Sequence, residues 1–161
     1  MNKPVIGLLV LSLVGCAATP MPIPQGYSGP LASVHDSHVS QGATKAYFFQ
    51  LAKIDGRDVE TSSMTTYQAN YGRGFFMSPQ VDGRQVPARL SVLHIEGVTY
   101  YAAPILALGG GNYSVEGDVT VDLKSDQAYS VKGTLSDSYC AVWVEDSAGN
   151  KVSNTVDNKG K

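Results

Sequence analysis

Tyr113-Ser114-Val115-Glu116-Gly117-Asp118-Val119-Thr120-Val121-Asp122-Leu123 sets Val115, Gly117, Val119, Val121 and Leu123 at every second position, with Glu116, Asp118, Thr120 and Asp122 between them. Successive side chains of a strand point to opposite faces, so this spacing predicts a half-buried β-strand with one apolar and one wetted side. The pattern continues downstream. Val131 and Leu135 alternate with Ser130, Lys132 and Thr134 in Tyr129 to Leu135. Tyr139 to Glu145 follows, and Ala148-Gly149-Asn150 turns into a last short strand near Lys151 to Val156. These four segments read as a meander. Upstream, Leu31 to Asp36, Thr44 to Ile54, Gly74 to Met77, Ala88 to Ile95 and Val98 to Leu108 are further strand candidates. Turn signals separate them at Asp55-Gly56, Asp82-Gly83, Glu96-Gly97 and Gly109-Gly110-Gly111-Asn112. The expected fold is all-β, a single antiparallel β-sandwich of eight or nine short strands.

Pro104 cannot donate to a ladder, so the Val98 to Leu108 strand is expected at an edge or bent there. Glu60 to Tyr71 is the one stretch with room for a helical turn or two, and its Ser and Thr residues weigh against helix. Asp55-Gly56-Arg57-Asp58-Val59 echoes Asp82-Gly83-Arg84-Gln85-Val86. Two Asp-Gly hairpins explain the echo without a repeat.

Composition narrows the function classes. At 161 residues, 43% hydrophobic and 16% charged, the chain fits one globular domain. Its formal charge is -2, and removal of residues 1–15 takes away Lys3 alone, leaving 11 of 12 basic side chains against 14 acidic ones. Nucleic acid, which needs clustered Lys and Arg, is therefore not an expected partner.

Residues 1–15 have the layout of an export signal: Lys3, then the apolar run Val5-Ile6-Gly7-Leu8-Leu9-Val10-Leu11-Ser12-Leu13-Val14, then Gly15. The run is about half of the roughly 20 residues that a membrane-spanning helix needs. Leu13-Val14-Gly15-Cys16 resembles the bacterial lipobox. That resemblance implies a diacylglyceryl group on the Cys16 thiol, cleavage between Gly15 and Cys16, and often acylation of the freed amine. Two or three acyl chains supply the multiple hydrophobic signals that stable anchoring requires. Ala17 stands where an Asp tends to hold lipoproteins of enteric bacteria in the inner membrane, so the resemblance favours the periplasmic face of the outer membrane. Residues 16–30 contain Pro20, Pro22, Pro24 and Pro30 and read as an extended spacer. The β-sandwich domain is expected over 31–156 and a polar tail over 157–161. Tyr129-Ser130-Val131-Lys132-Gly133 with Ala141-Val142-Trp143-Val144-Glu145-Asp146 resembles the closing segment of small envelope lipoproteins with a β-sandwich body. That likeness covers the last third of the chain and brings no functional residues.

With Cys16 consumed by lipid, Cys140 has no partner and reads as a buried core thiol. His35-Asp36-Ser37-His38, with His94 as a distant third ligand, is the nearest approach to a metal cluster. Histidines three apart on a strand face opposite ways, however, and could share an ion only across a turn. No metal or other cofactor is expected. Gly26-Tyr27-Ser28-Gly29-Pro30 lacks the last Gly of a nucleophile elbow and lies in the spacer. Glu116 and Asp118 share a face, but the solvated one. Gly109-Gly110-Gly111-Asn112 has no following helix or Lys to bind phosphate. Tyr71-Gly72-Arg73-Gly74-Phe75-Phe76 is aromatic and basic, but one Arg makes neither an anion site nor a nucleic-acid site.

If Cys140, Val142 and Val144 face the core, Tyr139 and Trp143 project from the other face, where rings can meet a sugar or a protein. The reverse register buries Trp143. The expectation is a non-enzymatic, membrane-anchored module that binds an envelope protein or contributes to envelope structure. The alternative is a glycan or cell-wall binding module using Tyr139, Trp143, Tyr100 and Tyr101.

Overall fold

The computed structural model describes residues 21–159. Residues 1–15, expected as an export signal, the expected cleavage after Gly15 and the expected lipid attachment at Cys16 all fall outside the described residues. The chain forms β1 (Leu31–His35), β2 (Ser37–Ser40), β3 (Lys45–Ile54) and the two-residue β4 (Arg57–Asp58), then α1 (Ser62–Asn70). It continues through β5 (Gly83–Pro87), β6 (Leu90–Tyr101), a 3-10 helix at Pro104–Gly109, β7 (Ser114–Asp122), β8 (Ala128–Leu135), β9 (Tyr139–Asp146) and β10 (Val156–Lys159).

The strands form two five-stranded sheets, the first in the order β10-β9-β8-β1-β5 and the second β2-β3-β6-β7 with β4 also on β3. The architecture is all-β and sandwich-like. The apolar rows of the two sheets meet in one core, with Val34, Val131 and Val142 of the first and Leu51, Leu93 and Ile95 of the second all 0% exposed. Burying each such side chain contributes about 1.5–3 kcal/mol. In β7, Val115, Val119 and Val121 are buried and Glu116, Asp118, Thr120 and Asp122 exposed, as the alternation predicts. Gly117 belongs to the inner row because Val156 of β10 lies over it, 2.8 Å from where a Cβ would stand.

Several expectations are corrected. The sheets are not purely antiparallel, since β1 pairs with β8 in parallel, Ser33 opposite Ala128 and His35 opposite Ser130. Nor do the last four segments form one meander: β8, β9 and β10 are successive neighbours, whereas β7 pairs with β6 in the opposite sheet. Period-two alternation states which face is buried and is silent on which sheet buries it. Ala88 to Ile95 and Val98 to Leu108 are not two strands divided at Glu96-Gly97, because β6 runs straight through that dipeptide. Gly97 faces inward, and a Cβ there would come within 3.2–3.3 Å of Phe49, Val115 and Leu135. The glycine answers a need for room, not for a turn. Beyond Tyr101 the chain leaves the strand and Pro104 opens the 3-10 helix, a position that needs no N–H donor. Gly74 to Met77 forms no strand.

Of the two Asp-Gly signals, Asp55-Gly56 makes the two-residue turn between β3 and β4, with φ of +47° and +77°. Asp82-Gly83 makes no hairpin. Gly83 opens β5 directly beneath the His35 imidazole, which occupies the space a Cβ would take. The polar tail is partly structured, since Val156–Lys159 pairs with Lys159 opposite Tyr139 and Val156 opposite Val142.

The doubtful helical stretch is a nine-residue helix. Its hydroxyls would weaken it in isolation by competing for backbone groups. Here they have tertiary partners. Ser62 and Thr66 are 0% exposed; Asp82 N donates to Ser62 Oγ at 2.9 Å and Gln80 N to Thr66 Oγ1 at 2.8 Å. Asn70 then exchanges hydrogen bonds with Ser78 in both directions.

Candidate functional site

The register at β9 is the one that buries Cys140, Val142 and Val144, and Tyr139 and Trp143 therefore stand on the outer face of the first sheet. Trp143 is half-buried. Its Nε1 donates to Glu145 Oε1 at 2.7 Å, and the Lys151 ammonium lies 4.3 Å from the ring centroid. A cation from the protein itself thus covers the indole. Tyr139 donates to Asp157 Oδ2 at 3.3 Å, and its phenol is pushed up by burial and by that carboxylate.

Tyr100 and Tyr101 belong to the other sheet. Tyr100 packs edge-on to Phe48 at 5.9 Å in a small second core with Ala46 and Met77, where burial raises its phenol. Tyr101 points the opposite way from β6 and donates to Gly111 O at 2.8 Å. The four rings proposed as one binding surface therefore divide between two sheets, and that surface is not formed.

Tyr101 instead joins Tyr47 and Tyr113 around Lys45, whose Nζ lies 5.0–5.4 Å from the three ring centroids. Burial works to lower the Lys45 ammonium, but hydrogen bonds with Tyr47 and Tyr101 outweigh it and hold the group charged to higher pH. The Tyr113 hydroxyl donates to Asp137, and this bond, with lesser help from burial and the carboxylate's charge, pushes the phenol up to about 12.

The three histidines do not converge. His35 lies on the outer face of the first sheet over Gly83. His38 lies in the second sheet with its ring 6.0 Å from Phe48. His94, on β6, places Nδ1 2.7 Å from Asp118 Oδ1 and Nε2 3.9 Å from Glu116 Oε2. Among the described residues no three His, Cys, Asp or Glu side chains gather in a set able to hold a metal ion.

What separates His35 from His38 is Asp36, where the chain leaves the first sheet and enters the second. Asp36 is 4% exposed, and its carboxylate receives both Arg84 guanidinium nitrogens, at 2.8 and 2.9 Å. Leu51 N donates to the same carboxylate at 2.9 Å and Ser62 Oγ at 2.7 Å. Arg84 also donates to Glu60 O at 2.7 Å. One ion pair thus ties β1, β3, α1 and β5 together at the corner between the sheets. Sequence reasoning missed it although a signal was present: Asp36 continues the inward row Ala32, Val34, and Arg84 the inward row of Val86. A charge at an inward strand position needs a buried partner. A shallow cleft of about 310 Å³ lies beside this pair, lined by Pro22, Val59, Glu60, Thr65, Asp82, Gly83 and Arg84.

A second exposed surface runs along α1 toward its C-terminal end and past it. Met64, Tyr67 and Tyr71 follow one another at helical spacing on its exposed side, and Tyr67 meets Tyr71 edge-on at 5.9 Å. Phe75 and Phe76 in the next loop, and Ile105 and Leu108 in the 3-10 helix, are also exposed. A cleft of about 260 Å³ adjoins all three segments, with Tyr67, Tyr71, Gly74, Ala103 and Pro104 in its lining. Among the described residues no helix is long and apolar enough to cross a membrane.

No protein-family model, curated protein or solved structure matches the chain. The fold class and the placement of its side chains are therefore what bear on function.

Proposed function

We propose that the chain is the precursor of a lipoprotein held in the bacterial cell envelope by lipid on Cys16, facing the periplasm from the outer membrane. Its all-β body serves there as a non-enzymatic module for protein binding or envelope structure. The observation that carries this reading is Leu13-Val14-Gly15-Cys16 at the end of a short apolar run, followed by a Pro-rich segment and a body whose first strand begins at Leu31. Cys140 supports it. That thiol is 8% exposed and donates to Ser136 O, so the body presents no accessible thiol with which Cys16 could pair.

The test is the intact mass of the mature N-terminus after expression in a bacterial host and extraction from the envelope. We expect a chain beginning at Cys16 and carrying a diacylglyceryl group. A bare N-terminus, or a chain that keeps residues 1–15, would refute the proposal. Cross-linking in cells then identifies the partner, and reproducible failure to capture any partner counts against the protein-binding role. A glycan-binding role retains support from Tyr139 and Trp143, which share one outer face. It requires that Trp143→Ala, with the fold intact, abolish retention on cell-wall glycan.

A further inference from the structure

Several large apolar side chains beyond α1 stay exposed among the described residues: Tyr71 is 78% exposed, Phe76 67% and Leu108 83%. Single apolar side chains are ordinary on a protein surface, but a set spread over three adjoining segments marks a place of contact. Charge says what kind of contact. From Thr61 to Val81 the only charged residue is Arg73, and from Gly97 to Val115 there is none, although Glu60, Asp82, Glu96 and Glu116 stand immediately outside these stretches. In a chain with an acidic balance, carboxylates are absent from the two segments that carry the exposed apolar side chains. A bilayer interface penalises carboxylates, through desolvation and through its own anionic headgroups, and accepts aromatic rings and a guanidinium.

The position of the tether agrees. Pro22 shares a cleft with Thr65 in the first half of α1, and its carbonyl accepts from Arg57 at 3.2 Å. Tyr71 comes six residues after Thr65, about 9 Å farther along at helical rise. Cys16 comes six residues before Pro22, a distance of at most about 22 Å when fully extended. The chain from Pro22 back to Cys16 is therefore long enough to span the distance to the patch.

We infer that this face, with Tyr71, Phe75, Phe76 and Leu108 at its centre, seats the body on the lipid bilayer, the rings entering the boundary between headgroups and acyl chains and Arg73 meeting phosphate. The inference rests on the reading of Cys16 as the lipid-bearing residue. Two contacts, one covalent and one through side chains, would then fix the orientation of the body and leave the outer face of the first sheet, with Tyr139 and Trp143, free for a partner.

The experiment places a reporter tryptophan at the patch. Phe76→Trp in a Trp143→Phe background is purified as the full lipidated chain and reconstituted in phosphatidylethanolamine vesicles containing a minor fraction of phosphatidylglycerol, with and without brominated acyl chains. The expected result is a blue shift of the reporter emission on reconstitution and its loss in brominated vesicles. In parallel, Phe75→Ser/Phe76→Ser/Leu108→Ser in a Cys16→Ser chain freed of residues 1–15 should sediment with the same vesicles about ten-fold less than that chain with the patch intact, equivalent to about 1.4 kcal/mol. A reporter that stays in water while the N-terminal mass shows acylation overturns the membrane seat and leaves the anchor standing. A bare N-terminus removes the anchor, and the inference with it. A reporter shielded in detergent solution only as protein concentration rises, with doubled mass, assigns the face to a second copy of the chain and also overturns the inference.

Discussion

Replacing Asp36 by alanine strips one carboxylate from five hydrogen bonds: two from Arg84, one from Leu51 N, and two from the backbone and hydroxyl of Ser62. The Arg84 side chain is only 9% exposed, so its charge is left in a site that water reaches poorly. Removing one partner of such a pair costs about 3–5 kcal/mol, most of it the penalty of the stranded charge. Against a total stability of about 5–15 kcal/mol, Asp36→Ala should lower the thermal midpoint by about 10–15 °C, at about 3 °C per kcal/mol for a body of this size. Arg84→Met should cost a comparable amount, because it strands the carboxylate instead. The double variant should fall well short of additive, since neither charge then remains, while Leu51 N still lacks its acceptor. Thermal and urea unfolding followed by circular dichroism measure each variant, at low and at high salt. The losses should not depend on salt, because the pair is buried. As a control, Lys53→Ala removes an ion pair whose side chains are 46% and 72% exposed, and it should leave the midpoint in place. A loss below about 1 kcal/mol for Asp36→Ala, the level of a surface pair, would refute the assignment of Asp36 as the tie between the sheets.

Gly133→Ala should cost about 1–3 kcal/mol in the same assay, because a Cβ there overlaps both the Phe49 ring and the Ala141 carbonyl, and Phe49→Leu in the same chain should recover only part of the loss. One tyrosine should titrate near pH 12 in ultraviolet difference spectra and return toward the ordinary value of 10.0 in Asp137→Asn. Because the folded state raises that phenol, its contribution to stability is complete below pH 10 and fades as pH climbs toward 12; a titration unchanged by Asp137→Asn would count against the bond. Burial works to raise the Asp55 carboxyl, but Arg89 and the Val92 amide outweigh it and hold the group below its ordinary 3.8. Its contribution is therefore present above pH 3.8 and lost as pH falls through the lower folded value, so Asp55→Asn should flatten the acid limb of the stability profile. Cys140 should react with a thiol reagent only at the rate of unfolding, and rapid modification of the native protein would contradict its burial.

The legible part of the fold was whatever a strand writes into alternate positions. Val115 to Leu123 and Val131 with Leu135 bury the faces their spacing announces, whereas Tyr139 to Val144 allowed either register and the fold buried Cys140, Val142 and Val144 instead of Trp143. Glycine was the main source of error, because it signals a turn and a close approach with the same letter. Gly56 sits at a turn with positive φ, whereas Gly83 and Gly97 clear space for His35 and Phe49 inside strands. The candidate surface suffered in a different way. Tyr100 and Tyr101 are adjacent in sequence and point to opposite faces, and neither shares a sheet with Trp143. The exposed face at Tyr71 to Phe76 was visible as an aromatic and basic run, but its extent was not, because Ile105 and Leu108 join it only through the folding of the chain.

Strand content, the faces of the alternating strands such as Val115 to Leu123, and the lipobox-like run Leu13-Val14-Gly15-Cys16 are legible in the amino-acid sequence alone, since each depends on neighbours only a few residues apart. Which sheet a strand joins, the parallel pairing of β1 with β8, the crossing at Asp36 and the helix at Ser62–Asn70 were decided by tertiary structure. Each of these depends on partners tens of residues away. The hydroxyls of Ser62 and Thr66 and the charges of Asp36 and Arg84 oppose order locally and become stabilising only when the complete fold supplies their opposite numbers.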